Sequence, residues 1–488
     1  MNKKPTIIHW FRRDLRVSDN PALKFAAEWG KVVPIFILDD TNSKEHAIGQ
    51  AGRVWLFHSL QQLDKQLGGT LRCFKGNPED ILMLLFNKEK ATGITWNHAY
   101  EPWQIKRDKQ IETNLTKTGA KVKSFNGSLL WEPSNDLKPD GSPYRVFTPY
   151  YRKGCLNAHP PRLPEQLISI SFLPKTELIK NSVDTLRLLS GKRWEKEIVE
   201  NWSIGEKGAK KQLDNFLQQG ILDYKEGRNF PLKNNVSMLS PFIHWGEISV
   251  NEVWYTANEL LKTQPTLQNN IDGFLSQLAW REFSYHLLYH FPELPSTNLQ
   301  ARFDYFPWEV NHKALRAWQR GKTGVPMVDA GMRQLRKTGY MHNRLRMIVG
   351  SFLVKNLRIH WHFGQAWFWE TLFDADLANN SAGWQWVAGC GVDAAPYFRI
   401  FNPVLQGLKF DPSGNFIRKF IPELRNMPNK YIFQPWEAPR AVLEAAEVQL
   451  GHNYPSPLVN IKDSRQQALA AFSSIKSVNT VKSGTIFP

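Results

Sequence analysis

The sequence predicts two domains: an α/β N-terminal domain built on a doubly wound parallel sheet, then an all-α C-terminal domain. Three observations predict this. Over residues 1–130, short runs rich in Ile and Val alternate with segments of helical spacing, joined by short turns. Over residues 131–200, Pro, Ser, Tyr and Lys interrupt every period, which predicts an ordered interdomain connection. From residue 201 to 472 the apolar residues recur at helical spacing. A length of 488 residues suits two to three domains with sizeable cores.

The N-terminal elements follow in order. "PTIIHWF" and "KVVPIFIL" read as buried strands, and "RVWLFHSLQQLDKQLGG" reads as a helix ending on Gly68 and Gly69. "TLRCFKG", "ATGITWNHAY" and "AKVKSFNG" read as further strands, separated by the helical "PEDILMLLFNKEK" and "RDKQIETNLTKTG". No GxGxxG follows the first strand, so the usual dinucleotide fingerprint is missing there. In the connection, "SPYRVFTPYYRKG" is both basic and aromatic. Beyond it, "SVNEVWYTANELL" opens with a capping box, Ser249 and Glu252. "DGFLSQLAWREFSYHLLYHF", "GVPMVDAGMRQLRKTG" and "YMHNRLRMIVGSFLVKNL" read as helices, and residues 473–488 as a frayed tail. No internal repeat is visible.

Composition narrows the function classes. The 62 Lys and Arg exceed the 45 Asp and Glu, leaving a formal charge of +17, which suits a polyanionic partner such as nucleic acid. The 19 Trp and 29 Phe serve equally as core or as surfaces that stack on bases or a flat cofactor. No run of eighteen apolar residues argues for a membrane span, and the opening "MNKKPTIIHWFRRDLR" has no h-region of a secretory signal. Three scattered cysteines (Cys73, Cys155, Cys390) fit a reducing cytoplasm rather than a disulfide framework, and no CxxC supports a zinc site.

Three stretches carry candidate chemistry. In residues 340–361, Asn343, Arg346 and Met347 share a helix face and Arg344 lies off it, so one arginine can reach a buried anion and the other solvent or phosphate. The same pattern suits an amphipathic helix with surface arginines. In "SQLAWREF", Gln277 and Trp280 share a face flanked by Arg281, an amide beside a flat wall that suits a base edge or a plain core. "FDADLANNSAGWQWVAGCGVDAAPYFRIFNP" crowds Asp374, Asp376, Asn379, Asn380, Trp384, Gln385 and Trp386 together. A buried carboxylate needs a partner, and Asp374 and Arg346 are suited to each other. His286 and His290 are four apart but lack the Glu of HExxH; His360 and His362 flank a Trp without a nearby carboxylate pattern. All four read as core or solvated histidines rather than metal ligands.

These motifs, with "WFRRDLRVSDNPAL" at the start, resemble the DNA photolyase/cryptochrome family, in the family's order, from about residue 5 to residue 455. His342-Asn343 looks more like the cyclobutane-dimer enzymes than the (6-4) photolyases, which carry two adjacent histidines. The resemblance implies that residues 374–386 wrap a U-shaped FAD, with Asp374, paired to Arg346, and Asn380 near flavin N5, and Asn343 and Asp376 in contact with the cofactor. It implies that Ser237 and Ser240 of "SMLS" bind the FAD phosphates and that Tyr224 and Arg228 line the same pocket. Trp280, Trp386 and Met347 would receive a flipped-out pyrimidine dimer, Arg344 would face DNA, and Trp384, Trp361 and Trp308 would form an electron-hopping chain that extends from flavin to surface. The implied activity is blue-light-driven repair of cyclobutane pyrimidine dimers by a cytoplasmic, monomeric enzyme acting on UV-damaged DNA.

Three departures stand against the family pattern. Gln277 occupies the position of a glutamate that hydrogen-bonds the dimer, so repair is expected to be weakened; a cryptochrome-like photoreceptor with little or no repair is the alternative. Val236 and Met238 stand where Thr and Arg are common. The antenna is expected to be methenyltetrahydrofolate, with Glu101 of "NHAYEPWQIKRD" at a pterin-contacting position.

Overall fold

The computed structural model describes residues 4–166, 169–175 and 181–476. The chain divides into two compact units. The first comprises residues 1–228, 234–292 and 370–379; the second comprises 229–233, 293–369 and 380–488.

The first unit is built around a five-stranded sheet. Its elements run β1 (Thr6–Phe11), α1 (Pro21–Trp29), β2 (Lys31–Leu38), α2 (Gln50–Gln66), β3 (Arg72–Lys75), α3 (Pro78–Lys88), β4 (Gly93–Asn97), α4 (Pro102–Lys117) and β5 (Lys121–Phe125). The strand order is β3-β2-β1-β4-β5 and every pair is parallel. The order reverses between β1 and β4, so the carboxyl ends of these two strands form the switch point where open α/β sheets bind ligands. β1, β2 and β4 are buried along nearly their whole length, which is why they read as near-continuous apolar runs. Ile8, Val33, Ile35, Ile94 and Trp96 form the core on one side with Leu82, Leu85, Ile111 and Leu115 of α3 and α4. Gly93 starts β4 because Trp29 lies against it: a Cβ there would stand 2.3 Å from the indole.

All five strands and α2–α4 lie where the sequence puts them. The helix missing from the sequence reading is α1, nine residues whose cap is the side chain of Asn20, accepting from the Leu23 amide. The connection is not featureless: it contains helical turns at Phe147–Pro149, Tyr150–Cys155, Val183–Leu186 and Arg193–Glu197. The first unit continues with helices Glu206–Gln218, Val250–Thr263 and Gln268–His290. Ser249 caps the second of these, its hydroxyl accepting from the Glu252 amide at 2.9 Å. The 23-residue third helix is buried on most of its circumference and carries Gln277, Trp280, Arg281 and Tyr285.

The second unit is helical. Its main elements are His312–Gln319, Pro326–Thr338, Asn343–Ser351, Trp361–Thr371, Leu377–Ala388, Pro403–Phe410, Asn415–Phe420 and Ile461–Ser474, two of which begin or end in residues of the first unit. The helix expected over 340–357 divides: it begins at Asn343, capped by the His342 side chain, and changes to a π turn at Phe352–Asn356. The expected tail begins inside the Ile461–Ser474 helix; residues 477–488 lie outside the described residues. Among the described residues the three cysteines are buried and free, and no helix is long and apolar enough to cross a membrane.

Candidate functional site

In the first unit the sequence candidates gather on the Gln268–His290 helix and the segment before it. Arg228 donates to the Gln277 side-chain oxygen at 2.8 Å, and its guanidinium lies 5.1 Å over the Tyr224 ring. Tyr224 is buried edge-on to Phe274 of the same long helix. With its oxygen taken by a cation, Gln277 presents its NH2 group, which makes only long contacts of 3.2 and 3.4 Å to Ser276 and Gly273. Three residues on, Trp280 stacks on Phe147, centroids 3.8 Å apart and planes 10° apart. Phe147 is a wall residue that the sequence reading did not single out. The signal was present in the aromatic "FTPYY", which forms the short helix and π turn that hold the ring.

"SMLS" forms a tight bend. Met238 adopts φ 52°, a left-handed conformation that costs a non-glycine residue and persists where the surroundings impose it. Ser237 offers its carbonyl to Gln212 at 2.9 Å and its hydroxyl to the Leu239 amide, while Ser240 is exposed at the start of a short helix.

Asp376 lies at the centre of a buried polar network. One oxygen accepts from the Asn379 amide at 2.8 Å and from its side chain at 2.7 Å; the other accepts from the Tyr285 hydroxyl and lies 3.8 Å from His244. Burial opposes ionisation, but the His244 contact, the Arg281 charge and the Tyr285 hydroxyl outweigh it and hold the carboxyl well below its usual range. Arg281 pairs with Glu282 at 2.8 Å and lies over the Tyr285 ring. Burial pushes Glu282 up to about 7, although it accepts from the Leu130 and Trp131 amides. At the sheet's switch point, Glu101 pairs with Arg13 at 2.5 Å and accepts from Trp103 at 2.8 Å. Its carboxylate is thus already held by two donors.

In the second unit, Asn343 opens its helix. Arg346 donates to the Met341 carbonyl at 2.9 Å and lies 5.8 Å over Tyr340. Arg344 is not a free surface cation: it donates to the Asn229 side chain and lies 4.2 Å over Phe410. Met347 is half-buried, as is Trp386, which faces Phe401 at 6.5 Å. Asn380 donates to the Gln365 carbonyl at 3.0 Å. Gln385, between the two tryptophans, is fully buried and holds the chain: it binds the carbonyls of Leu294 and Thr297 and the amide of Leu299. Trp384 is buried against Phe368 at 5.0 Å, and its indole N–H has no partner among the described residues. Trp361 is fully buried and donates to Asn298 at 2.8 Å; Trp308 is half-buried.

Among the described residues no group of three His, Cys, Asp or Glu is placed to hold an ion. Burial and His290 push His286 down to about 3.

Comparison with known proteins gives this arrangement a context. Residues 7–167 match the family model described as DNA photolyase, and residues 274–474 the one described as FAD binding domain of DNA photolyase. The chain is 45% identical to the deoxyribodipyrimidine photo-lyase of Agrobacterium fabrum over 97% of this chain and 99% of that one. The chain belongs to the DNA photolyase/cryptochrome family. A class III photolyase from Agrobacterium tumefaciens, of solved structure, superposes with a TM-score of 0.93 at 44% identity and 98% coverage of both chains. Cryptochrome-2 of Arabidopsis thaliana is 37% identical over 97% of this chain and 79% of its own length.

Family membership brings an FAD-binding domain, and the residues present fit that cofactor. Tyr224, Arg228, Ser237 and Ser240 offer hydroxyl and guanidinium donors of the kind a pyrophosphate needs. The carboxylates and amides of Asp374, Asp376, Asn343 and Asn380 suit the ribityl hydroxyls and ring edges of a flavin. The unpartnered N–H of Trp384 belongs to the same set of candidates.

Proposed function

We propose that the protein is a deoxyribodipyrimidine photolyase, repairing cyclobutane pyrimidine dimers in UV-damaged DNA under blue light. The observation that carries this reading is the Gln277–Trp280 face, where Arg228 holds the Gln277 side-chain oxygen three residues from an indole stacked on Phe147. On this reading the cofactor contacts are Tyr224, Arg228, Ser237, Ser240, Asn343, Arg346, Asp374, Asp376 and Asn380. Reduced FAD, when bound and excited, supplies the electron that splits the cyclobutane ring.

The chain's own residues bind and orient. Trp280, Met347 and Trp386 offer apolar surface to the dimer, and Gln277 offers an N–H to its carbonyls. An amide donates without transferring a proton, so Gln277 positions the lesion and leaves its charge less stabilised than an acid does. Trp384, Trp361 and Trp308 carry electrons inward to return the cofactor to its reduced state. The net charge of +17 supplies affinity without sequence preference, and a dimer, poorly stacked and paired, costs only a few kcal/mol to extrude. The organisation that accompanies this is an antenna-binding domain over 1–130, a connection over 131–200, a helical FAD- and DNA-binding domain over 201–472 and a tail. A monomer, a cytoplasmic location and a methenyltetrahydrofolate antenna near Glu101 complete the proposal. Because Arg13 and Trp103 already bind Glu101, its part there is to orient those neighbours as much as to touch a pterin.

The test is binding. The FAD-loaded protein should hold a duplex carrying one thymine cyclobutane dimer at least about tenfold more tightly than the intact duplex, with both affinities falling as salt rises. Equal affinity for the two duplexes would remove the lesion-recognition reading.

A further inference from the structure

His360 sits between two of the three tryptophans assigned to electron transfer. Its ring centroid lies 4.8 Å from Trp308 and 5.6 Å from Trp361, nearly parallel to the latter at 28°. Among the described ring contacts Trp308 and Trp361 do not meet each other; His360 meets both. His362 closes on the far side of the same group, 3.9 Å from Trp361 and 4.4 Å from His360.

The arrangement is held in place by the backbone. The 308–310 segment is pinned to 358–360: the Glu309 amide donates to the Arg358 carbonyl at 2.8 Å, and the Arg358 guanidinium pairs with the Glu309 carboxylate at 2.5 Å. Glu309 and Ile359 form an isolated parallel bridge. Arg358 adopts φ 50°, a conformation disfavoured for a side chain of its size, and the turn it makes delivers His360 to Trp308. The imidazole is fixed as well: its Nδ1 accepts from the His362 amide at 3.2 Å. This assigns the remaining proton to Nε2. Burial pushes the ring's pKa down to about 4, with His362 adding to the effect and Asp304 opposing it. Near neutral pH the bridge is an uncharged π system, so it adds no positive charge to oppose one on a neighbouring indole.

We propose that His360 is the bridge through which an electron passes from Trp308 to Trp361. The inference rests on the reading of Trp384, Trp361 and Trp308 as the electron path. The balance is one electron per hop. Bound FAD, oxidised and excited, would leave a one-electron vacancy at Trp384; Trp361 would refill Trp384, Trp308 would refill Trp361 by way of His360, and a thiol reductant in solution would refill Trp308. The His360 step transfers no proton and makes or breaks no bond. His360 acts through the two indoles and is a positioning residue with an electronic role.

The experiment uses the FAD-loaded protein with the flavin oxidised and dithiothreitol as donor. Flash photolysis follows the tryptophan radical, and electron spin resonance places it. His360→Leu removes the ring and should slow arrival of the radical at Trp308 by about tenfold or more, leaving the first step at Trp384 unchanged. His360→Phe keeps a neutral ring and should stay near the native rate. His360→Gln, which keeps polarity without the ring, should behave as the Leu variant does and serves if that variant fails to fold. Native arrival rates in the Leu or Gln variant, or equal slowing in Phe and Leu, would overturn the bridge. Trp361→Phe is the control on the reading beneath it: if that variant still delivers a radical to Trp308 at the native rate, the path itself is wrong and the bridge falls with it. If it blocks the radical while His360→Leu does not, only the bridge is wrong.

Discussion

The sheet of the first unit and the Trp–His array of the second are both assemblies of buried side chains, but they are specified differently. In the sheet, Ile8, Val33, Ile35 and Ile94 lie on adjacent strands in register, and any aliphatic group of similar volume serves. In the array, Trp308, His360, Trp361, His362, Phe368 and Trp384 are rings of defined chemistry, drawn from a loop, a turn and two helices. The sheet depends on volume and period. The array depends on which ring meets which, and on single hydrogen bonds such as Trp361 to Asn298.

One substitution breaks the comparison from the stability side. Ile35→Ala opens a cavity in the centre of the sheet and should cost about 2–5 kcal/mol in denaturant unfolding, while the loaded protein keeps the native tryptophan-radical kinetics. A change in those kinetics would mean that packing and electron path are not separable.

The smaller effect sharpens the comparison at a third cluster, where aromatic rings surround a single acid. Trp55 contacts Trp202, Phe242 and Phe373, and its indole donates to the buried Glu247 at 3.2 Å. Burial pushes Glu247 up to about 8 from its ordinary 4.5. Between these values the folded chain keeps a proton that the unfolded chain has released, so its contribution falls as pH rises through that window. Glu247→Gln carries no such proton. It should match the native chain near pH 4 and exceed it by roughly 4 kcal/mol at pH 8, as read by unfolding at several pH values. A pH-independent difference would contradict a neutral acid in this box.

The same contrast explains what the sequence discloses. The strands are legible because β1, β2 and β4 are largely apolar and the turns between strands and helices are short. The α1 helix is not, because nine residues between a capping Asn20 and Gly30 give too little period to stand out. The Leu377–Ala388 helix hides behind two Asn, a Ser and a Gly, although its residues crowd candidate chemistry. Gln277 and Trp280 were found because one helix face carries them. Their partners Arg228 and Phe147 lie 49 and 133 positions upstream, at distances that no local pattern spans. His360 looked like a core or solvated histidine because no carboxylate pattern lies near it. Its significance comes from Trp308, fifty-two residues away, and only the Glu309–Arg358 pinning brings the two together.

The central claim is that this chain repairs cyclobutane dimers with light. The direct measurement mixes the photoreduced native protein with an oligonucleotide carrying one thymine dimer and counts restored thymines under blue light and in the dark, with Gln277→Glu alongside. Restored thymines are expected in the light only, with a higher yield per photon absorbed in the Glu variant. No repair by the native protein would contradict that claim. Repair by Gln277→Glu alone would then identify the native chain as a photoreceptor whose repair site is silenced at one residue.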